Sequence, residues 1–236
     1  MARLLLVGNS RWHWAEVAEG GWRSWHTPPP SPGAPPAWDR LRAWAAVGAL
    51  PPGCSPPPER GLTLAQVPLR HLPPWLGMDR ALVAWGAWRV ERRAALVADA
   101  GTALSLTWVD GAGCFRGGRI SAGAALQRRS LGEATALLPR HEGPFDRSVL
   151  DSDGGWPEGT DQALMQGCWR ATAGAIALAW RELSRQDADP QRRLWLTGGD
   201  GPALAPLLEA DGIPLQLAPD LALQALAALP AVGLIS

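Results

Sequence analysis

The chain of 236 residues has no Lys and no Tyr, so all 22 of its basic side chains are Arg. Any task that needs a lysine ammonium or a tyrosine phenol falls to another residue or is lost. Asn occurs once, at Asn9. The 22 basic and 22 acidic residues cancel, which leaves no charge footprint for nucleic acid or a membrane surface. Cys54, Cys114 and Cys168 are odd in number, far apart and without a CxxC pair. That argues against a disulfide framework and for free thiols in a reducing, cytoplasmic setting. Long apolar runs are missing as well. The opening run ends at Val7, too short for a secretory signal, and the uncharged stretch from Leu221 contains Pro230. It falls short of the ~20 residues a membrane span needs and reads as a buried helix and a tail. His13, His26, His71 and His141 show no metal-ligand spacing.

What is present is a globular composition, 47% hydrophobic and 19% charged, long enough for one large or two small domains. The most informative stretch is 96–123. An apolar run, Leu96-Val97-Ala98, meets Asp99 and a small-residue turn, Ala100-Gly101-Thr102. A strand over 103–109, a turn at Asp110-Gly111-Ala112-Gly113 and a strand over 114–116 follow, then Gly117-Gly118 and a helix start after Gly123. Glycine lets backbone N–H groups approach an anion, and a threonine hydroxyl adds a donor. A carboxylate at the strand end can hold a cation that neutralises phosphate. The same residues also suit an ordinary hairpin turn.

The rest of the chain repeats that design once. A strand over 3–7, a turn at Gly8-Asn9-Ser10 and a return strand over 11–18 make a second hairpin, consistent with internal duplication. Residues 21–26 suit a third strand. Pro-rich loops are expected over 27–36 and 48–61, with helical spacing over 38–47 between them and an edge strand over 62–67. Asp79 suits the N-cap of a helix that runs to Arg89. A helix over 124–138 ends at Pro139, and an irregular stretch over 140–158 carries Asp151, Asp153 and Gly154-Gly155. Thr160 is an N-cap candidate for the longest helix, 161–185. Its small residues Gly167, Ala171, Gly174 and Ala175 suit either a subunit contact or core packing. A strand over 193–196, a helix over 201–209, a strand over 214–217 and a helix over 221–229 complete the chain.

Taken in order, these segments resemble the type III pantothenate kinases of bacterial coenzyme A synthesis, a branch of the acetate and sugar kinase, Hsp70 and actin superfamily. The family's first phosphate loop, D-x-G-N-T, is matched in its last three positions by Gly8-Asn9-Ser10, with Ser for Thr. Its substrate motif, G-x-D-R, is matched in full by Gly77-Met78-Asp79-Arg80, and its second loop, D-x-G-T, by Asp99-Ala100-Gly101-Thr102. The G-G-x-I-x-x-G segment is matched from Gly117 to Gly123. N-T is matched in part by Gly159-Thr160, and T-G-G-D by Thr197 to Asp200.

The resemblance implies an α/β fold of two ribonuclease H-like subdomains with a central cleft, split as 1–94 and 95–236. It implies ATP-dependent phosphorylation of pantothenate to 4′-phosphopantothenate and a homodimer with the long helix at its interface. Asp79 would be the general base. Arg70, Gly77, Met78, Arg80 and Thr160 would join it in holding pantothenate. Val7, Gly8, Asn9, Ser10, Arg11, His13 and Thr102 would contact ATP. Asp99 would bind a monovalent cation, potassium or ammonium, with magnesium serving the nucleotide. The chain departs from the pattern where the first-loop Asp falls on Leu6, the Lys after that loop on His13, the Tyr before the substrate motif on Arg70, and the Asn before Thr160 on Gly159. Loss of one charge ligand in phosphoryl transfer can cost about a thousandfold in rate. A catalytically impaired or regulatory nucleotide-binding member of the same fold is therefore the alternative reading.

Overall fold

The computed structural model describes residues 1–140, 156–186, 189 and 191–235, which divide into two compact units. The first holds Met1–Ala94, Val109–Arg116 and the chain from Asp220 onward; the second holds Ala95–Trp108 and Gly117–Pro219. The expected irregular stretch with Asp151, Asp153, Gly154 and Gly155 lies mostly outside the described residues.

The first unit is built on β1 (Ala2–Val7), β2 (Trp12–Ala18), β3 (Gly21–Thr27) and β4 (Leu41–Ala46), in the order β3-β2-β1-β4. β1 pairs antiparallel with β2 and parallel with β4. Because side chains alternate along a strand, this sheet has two different faces. On one, Leu5, Val7, Trp12, Trp14 and Leu41 form a core with Cys54, packed against Trp25, Trp38 and Trp44. The rings of Trp14 and Trp25 stack 6.1 Å apart at 7°. The other face carries Leu4, Leu6 and Ala15 toward α1 (Met78–Glu91) and α5 (Leu221–Ala228). The two helices cross closely because Gly86 has no side chain: a Cβ there would lie 3.1 Å from Ala225 and Leu221 side chains.

In the second unit, β5 (Ala95–Ala100), β6 (Ala103–Val109), β7 (Phe115–Ala122), β8 (Arg193–Thr197) and β9 (Leu215–Leu217) take the order β7-β6-β5-β8-β9. β5 is parallel to β8, and β8 to β9. The interior strands β5 and β8 are largely buried and mainly apolar, as suits strands covered on both faces. Helices α2 (Ala124–Ala134), α3 (Thr160–Gln186) and α4 (Gly201–Ala210) complete this unit, and Leu164, Cys168, Ile176 and Leu183 of α3 enter its core. In both sheets the first strand of a hairpin lies beside a later parallel strand, so the repeated design extends to strand order.

Several expectations need correction. Residues 38–47 contain β4 rather than a helix: Leu41, Ala43 and Ala45 are buried alternately, and pairing with β1 outweighs local helical spacing. The expected edge strand over 62–67 is a single 3-10 turn, Leu64–Gln66, closed by a capping box between Thr63 and Gln66. The strand that begins near Cys114 runs on to Ala122, through Gly117-Gly118. The N-cap of α1 is Gly77; Asp79 stands inside the first turn. α2 ends at Ala134, and Thr160 is the first helical residue of α3.

Candidate functional site

In the first unit, β1 and β2 are joined by Gly8-Asn9-Ser10-Arg11. The Gly8 N–H donates to the Arg11 carbonyl at 3.0 Å, which closes the turn. A Cβ on Gly8 would lie 2.8 Å from that same oxygen, so the turn needs glycine. Asn9, Ser10 and Arg11 are exposed at the tip. The Asn9 side chain rests against Gly48, where a Cβ would lie 2.6 Å from Asn9 Oδ1. Val7 is fully buried and its carbonyl accepts the Val47 N–H at 2.9 Å, so its side chain has no reach to a ligand.

Leu6, where the family's acidic residue is expected, is 5% exposed and faces the helical layer. Its cross-strand neighbour on β2 is His13, and His13 is paired in turn with His26 on β3. The protein crowding His13 lowers its pKa. The nearby His26 and Arg11 lower it further, against a weaker opposing pull from Asp220.

The substrate motif opens α1. Asp79 Oδ1 accepts the Arg80 N–H at 2.8 Å. A Cβ on Gly77 would lie 2.5 Å from the same oxygen, so the motif's first glycine makes room for the carboxylate. Burial raises the Asp79 pKa, and the Arg80 N–H and guanidinium oppose that rise. Burial lowers the Arg80 pKa while Asp79 raises it; an arginine remains cationic throughout. The Arg80 guanidinium lies 5.7 Å from the Phe115 ring centroid. Arg70 is exposed and runs along the hairpin tip, where its N–H donates to the Gly113 carbonyl at 2.9 Å and its guanidinium to Ala112. Met78 is 5% exposed, which leaves mainly its backbone available.

In the second unit, β5 and β8 end side by side, with Asp99 in register with Thr197. The carboxyl ends of parallel strands are where α/β sheets collect ligands. Gly198 follows, with φ of +85°. A Cβ there would collide with the Ala100 carbonyl and lie 2.6 Å from Asp99 Oδ1. The Asp200 N–H donates to that carbonyl at 2.9 Å. Thr102 is exposed at the β5–β6 turn, and its carbonyl accepts the Gly123 N–H at 3.0 Å. Thr160 is exposed at the start of α3. Among the described residues no three His, Cys, Asp or Glu groups converge as a metal cage. The donors at Asp99 are hard oxygens, a carboxylate beside a carbonyl, and Gly198 packs closely against both because it lacks a Cβ. That donor set fits potassium, ammonium or magnesium better than a soft metal.

The first unit thus brings together Gly8 to His13, and separately Gly77 to Arg80 with Arg70. The second joins Asp99 with the Gly198 turn. Sequence reasoning missed Gly48 and Phe115, whose partners are remote in the chain. It matched Thr197-Gly198-Gly199-Asp200 without seeing that Gly198 is shaped to Asp99.

A family model described as type III pantothenate kinase matches residues 64–182. A type III pantothenate kinase from Thermosynechococcus vestitus is 38% identical over 208 residues, covering 86% of this chain and 79% of that protein. Among solved structures, a Campylobacter jejuni protein assigned to the Baf family of transcriptional activators aligns with a TM-score of 0.60 at 17% identity, over 96% of both chains. A Sinorhizobium meliloti protein assigned as a 2-dehydro-3-deoxygalactonokinase aligns with a TM-score of 0.56 at 14% identity, over 98% of this chain and 97% of that one. At such identities the structural likeness speaks for the fold alone, the α/β fold of the acetate and sugar kinase, Hsp70 and actin type.

Proposed function

The chain belongs to the type III pantothenate kinase family, and we propose that its reaction runs on Asp79 as the general base. It is an ATP-dependent phosphotransferase that converts pantothenate to 4′-phosphopantothenate, the first step of coenzyme A biosynthesis. The pantothenate hydroxyl oxygen attacks the γ-phosphorus, the bond from that phosphorus to the ADP oxygen breaks, and the hydroxyl proton passes to Asp79. What supports this role is a half-buried carboxylate with a raised pKa, fixed by the Arg80 N–H and given room by Gly77. Arg80 suits the substrate carboxylate through its planar fork, with Arg70, the Gly77 and Met78 backbone and Thr160 as further contacts.

The ATP phosphates are assigned to the Val7 to Arg11 loop with His13, and to Thr102. Phosphoryl transfer asks mainly for positioning and charge neutralisation, which backbone donors and cations provide. Asp99 would hold potassium or ammonium, with magnesium on the nucleotide; these ions would supply positive charge against the phosphates. By this reading residues 1–94 carry the first loop and the substrate motif, and residues 95–236 the second loop and the long helix. A homodimer is proposed through α3, on which Gly167, Ala171 and Gly174 form an exposed stripe with nothing within 4 Å of a Cβ at either glycine. A cytoplasmic setting agrees with the three cysteines, each a free thiol. The impaired-member alternative rests on Leu6 alone.

The test is ADP release with ATP, magnesium and potassium, with and without pantothenate. Asp79→Asn should lower pantothenate-dependent kcat by about 10²–10⁴-fold. In the wild type, kcat/KM for pantothenate should fall as pH drops through the Asp79 pKa, at a pH above the ordinary aspartate range, because the base must be unprotonated. Full turnover in Asp79→Asn would reject the assignment.

A further inference from the structure

Across β1, β2 and β3 runs a row of side chains on one face: Leu6, His13, His26. At its β2 end lies the first loop, since a Cβ on Gly8 would be 3.6 Å from the His13 ring. Arg11 closes the row from the loop, with its Nη1 3.4 Å from His26 Nε2. Three groups that are or can become cationic are therefore stacked beside one loop. The neighbours bring little negative charge to this face. β1 contributes the apolar Leu6, and Arg3, Glu16 and Arg23 lie on the opposite face of the sheet. The carboxylate that acts on His13 is Asp220, at the N-terminus of α5. It is already engaged: its Oδ2 accepts from Trp22 Nε1 at 3.0 Å and from Ser24 Oγ at 2.9 Å. Cationic groups crowded in this way are stabilised by an anion that sits among them. His26 lies well outside the loop in sequence and reaches it only through the β2–β3 register.

We infer that His26 is a further phosphate-binding residue of this kinase, completing with Arg11 and His13 a row of donors that holds a phosphate group of ATP. The inference rests on the kinase reading for the identity of the ligand. Two members of the row are imidazoles, each with a ring nitrogen able to donate to a phosphate oxygen. His26 Nε2 and Arg11 Nη1 lie 3.4 Å apart, so one anion is within reach of both. Burial is the main cause of the lowered His13 pKa, and the neighbouring His26 and Arg11 add to it.

The experiment measures dissociation constants for MgATP and adenosine by calorimetry, without pantothenate. The proteins are the wild type, His26→Gln and His26→Arg. His26→Gln should weaken MgATP binding by about three- to tenfold, as expected of a lost charge-assisted contact at an exposed site. His26→Arg should keep the wild-type affinity. Adenosine binding should be equal in all three. Wild-type affinity for MgATP in His26→Gln would overturn the inference. So would equal losses for adenosine and MgATP, or a wild type that does not bind MgATP. Turnover is measured separately: its absence in a wild type that binds MgATP through His26 would sink the catalytic reading and leave this one standing.

Discussion

The two hairpin loops, Gly8 to Arg11 between β1 and β2 and Ala100 to Thr102 between β5 and β6, share a design and differ in charge. Each follows an apolar strand that lies beside a later parallel strand. The first ends on Leu6-Val7, both buried, and is flanked by Arg11 and His13. The second ends beside Asp99, whose carboxylate lies close against the Gly198 turn. Similar frames thus carry a loop flanked by Arg11 and His13 in one unit and a loop beside the Asp99 carboxylate in the other. Strand order is what the two share, and the charge at the strand end is where they differ. Leu6 stands opposite His13 in the first, where the second has Asp99 opposite Thr197.

The largest effects are expected where the second loop has no substitute. Asp99→Asn should lower kcat by about a thousandfold and weaken the dependence of rate on potassium, with little change in melting temperature. Gly198→Ala should cost about 2–4 kcal/mol in unfolding free energy, because it combines positive φ with a collision at Ala100 and Asp99. Urea denaturation measures it, and a stability near wild type would show that the turn can move away. If it can, Gly198 is not what fixes the turn beside Asp99.

A smaller effect follows from giving the first loop the charge of the second. Leu6→Asp would bury a carboxylate and should cost about 1–3 kcal/mol near neutral pH. It would also raise the His13 pKa. A raised histidine pKa adds stability that is present at low pH and lost as pH rises through it, so the penalty should shrink in acid. Denaturation at two pH values reads this out; a penalty that grows in acid would mean that position 6 and His13 are not coupled. The smallest effect belongs to Gly48→Ala. The new methyl group would displace the Asn9 side chain and should raise KM for ATP about two- to fivefold with kcat nearly unchanged. An unchanged KM would remove Asn9 from the phosphate contacts.

Much of this could be read from the residues. Turn chemistry marked both hairpins, because Gly8-Asn9-Ser10 and Ala100-Gly101-Thr102 are local features with local causes. Apolar runs marked β1 and β8 for the same reason. β4 escaped, since its Ala-rich, Trp-containing run suits helix and strand alike and only pairing with β1 chooses between them. Residues 62–67 escaped because a capping box is satisfied by one turn as readily as an apolar run suggests a strand.

The sequence alone determined the strand-and-turn grammar, the free thiols and the order of motifs that identifies the family, because these depend on residue type and on neighbours a few positions apart. Tertiary structure decided which residues share a site. Gly48 against Asn9, Gly198 against Asp99 and His26 beside His13 are long-range meetings set by strand register and sheet order. No local property of either partner specifies them.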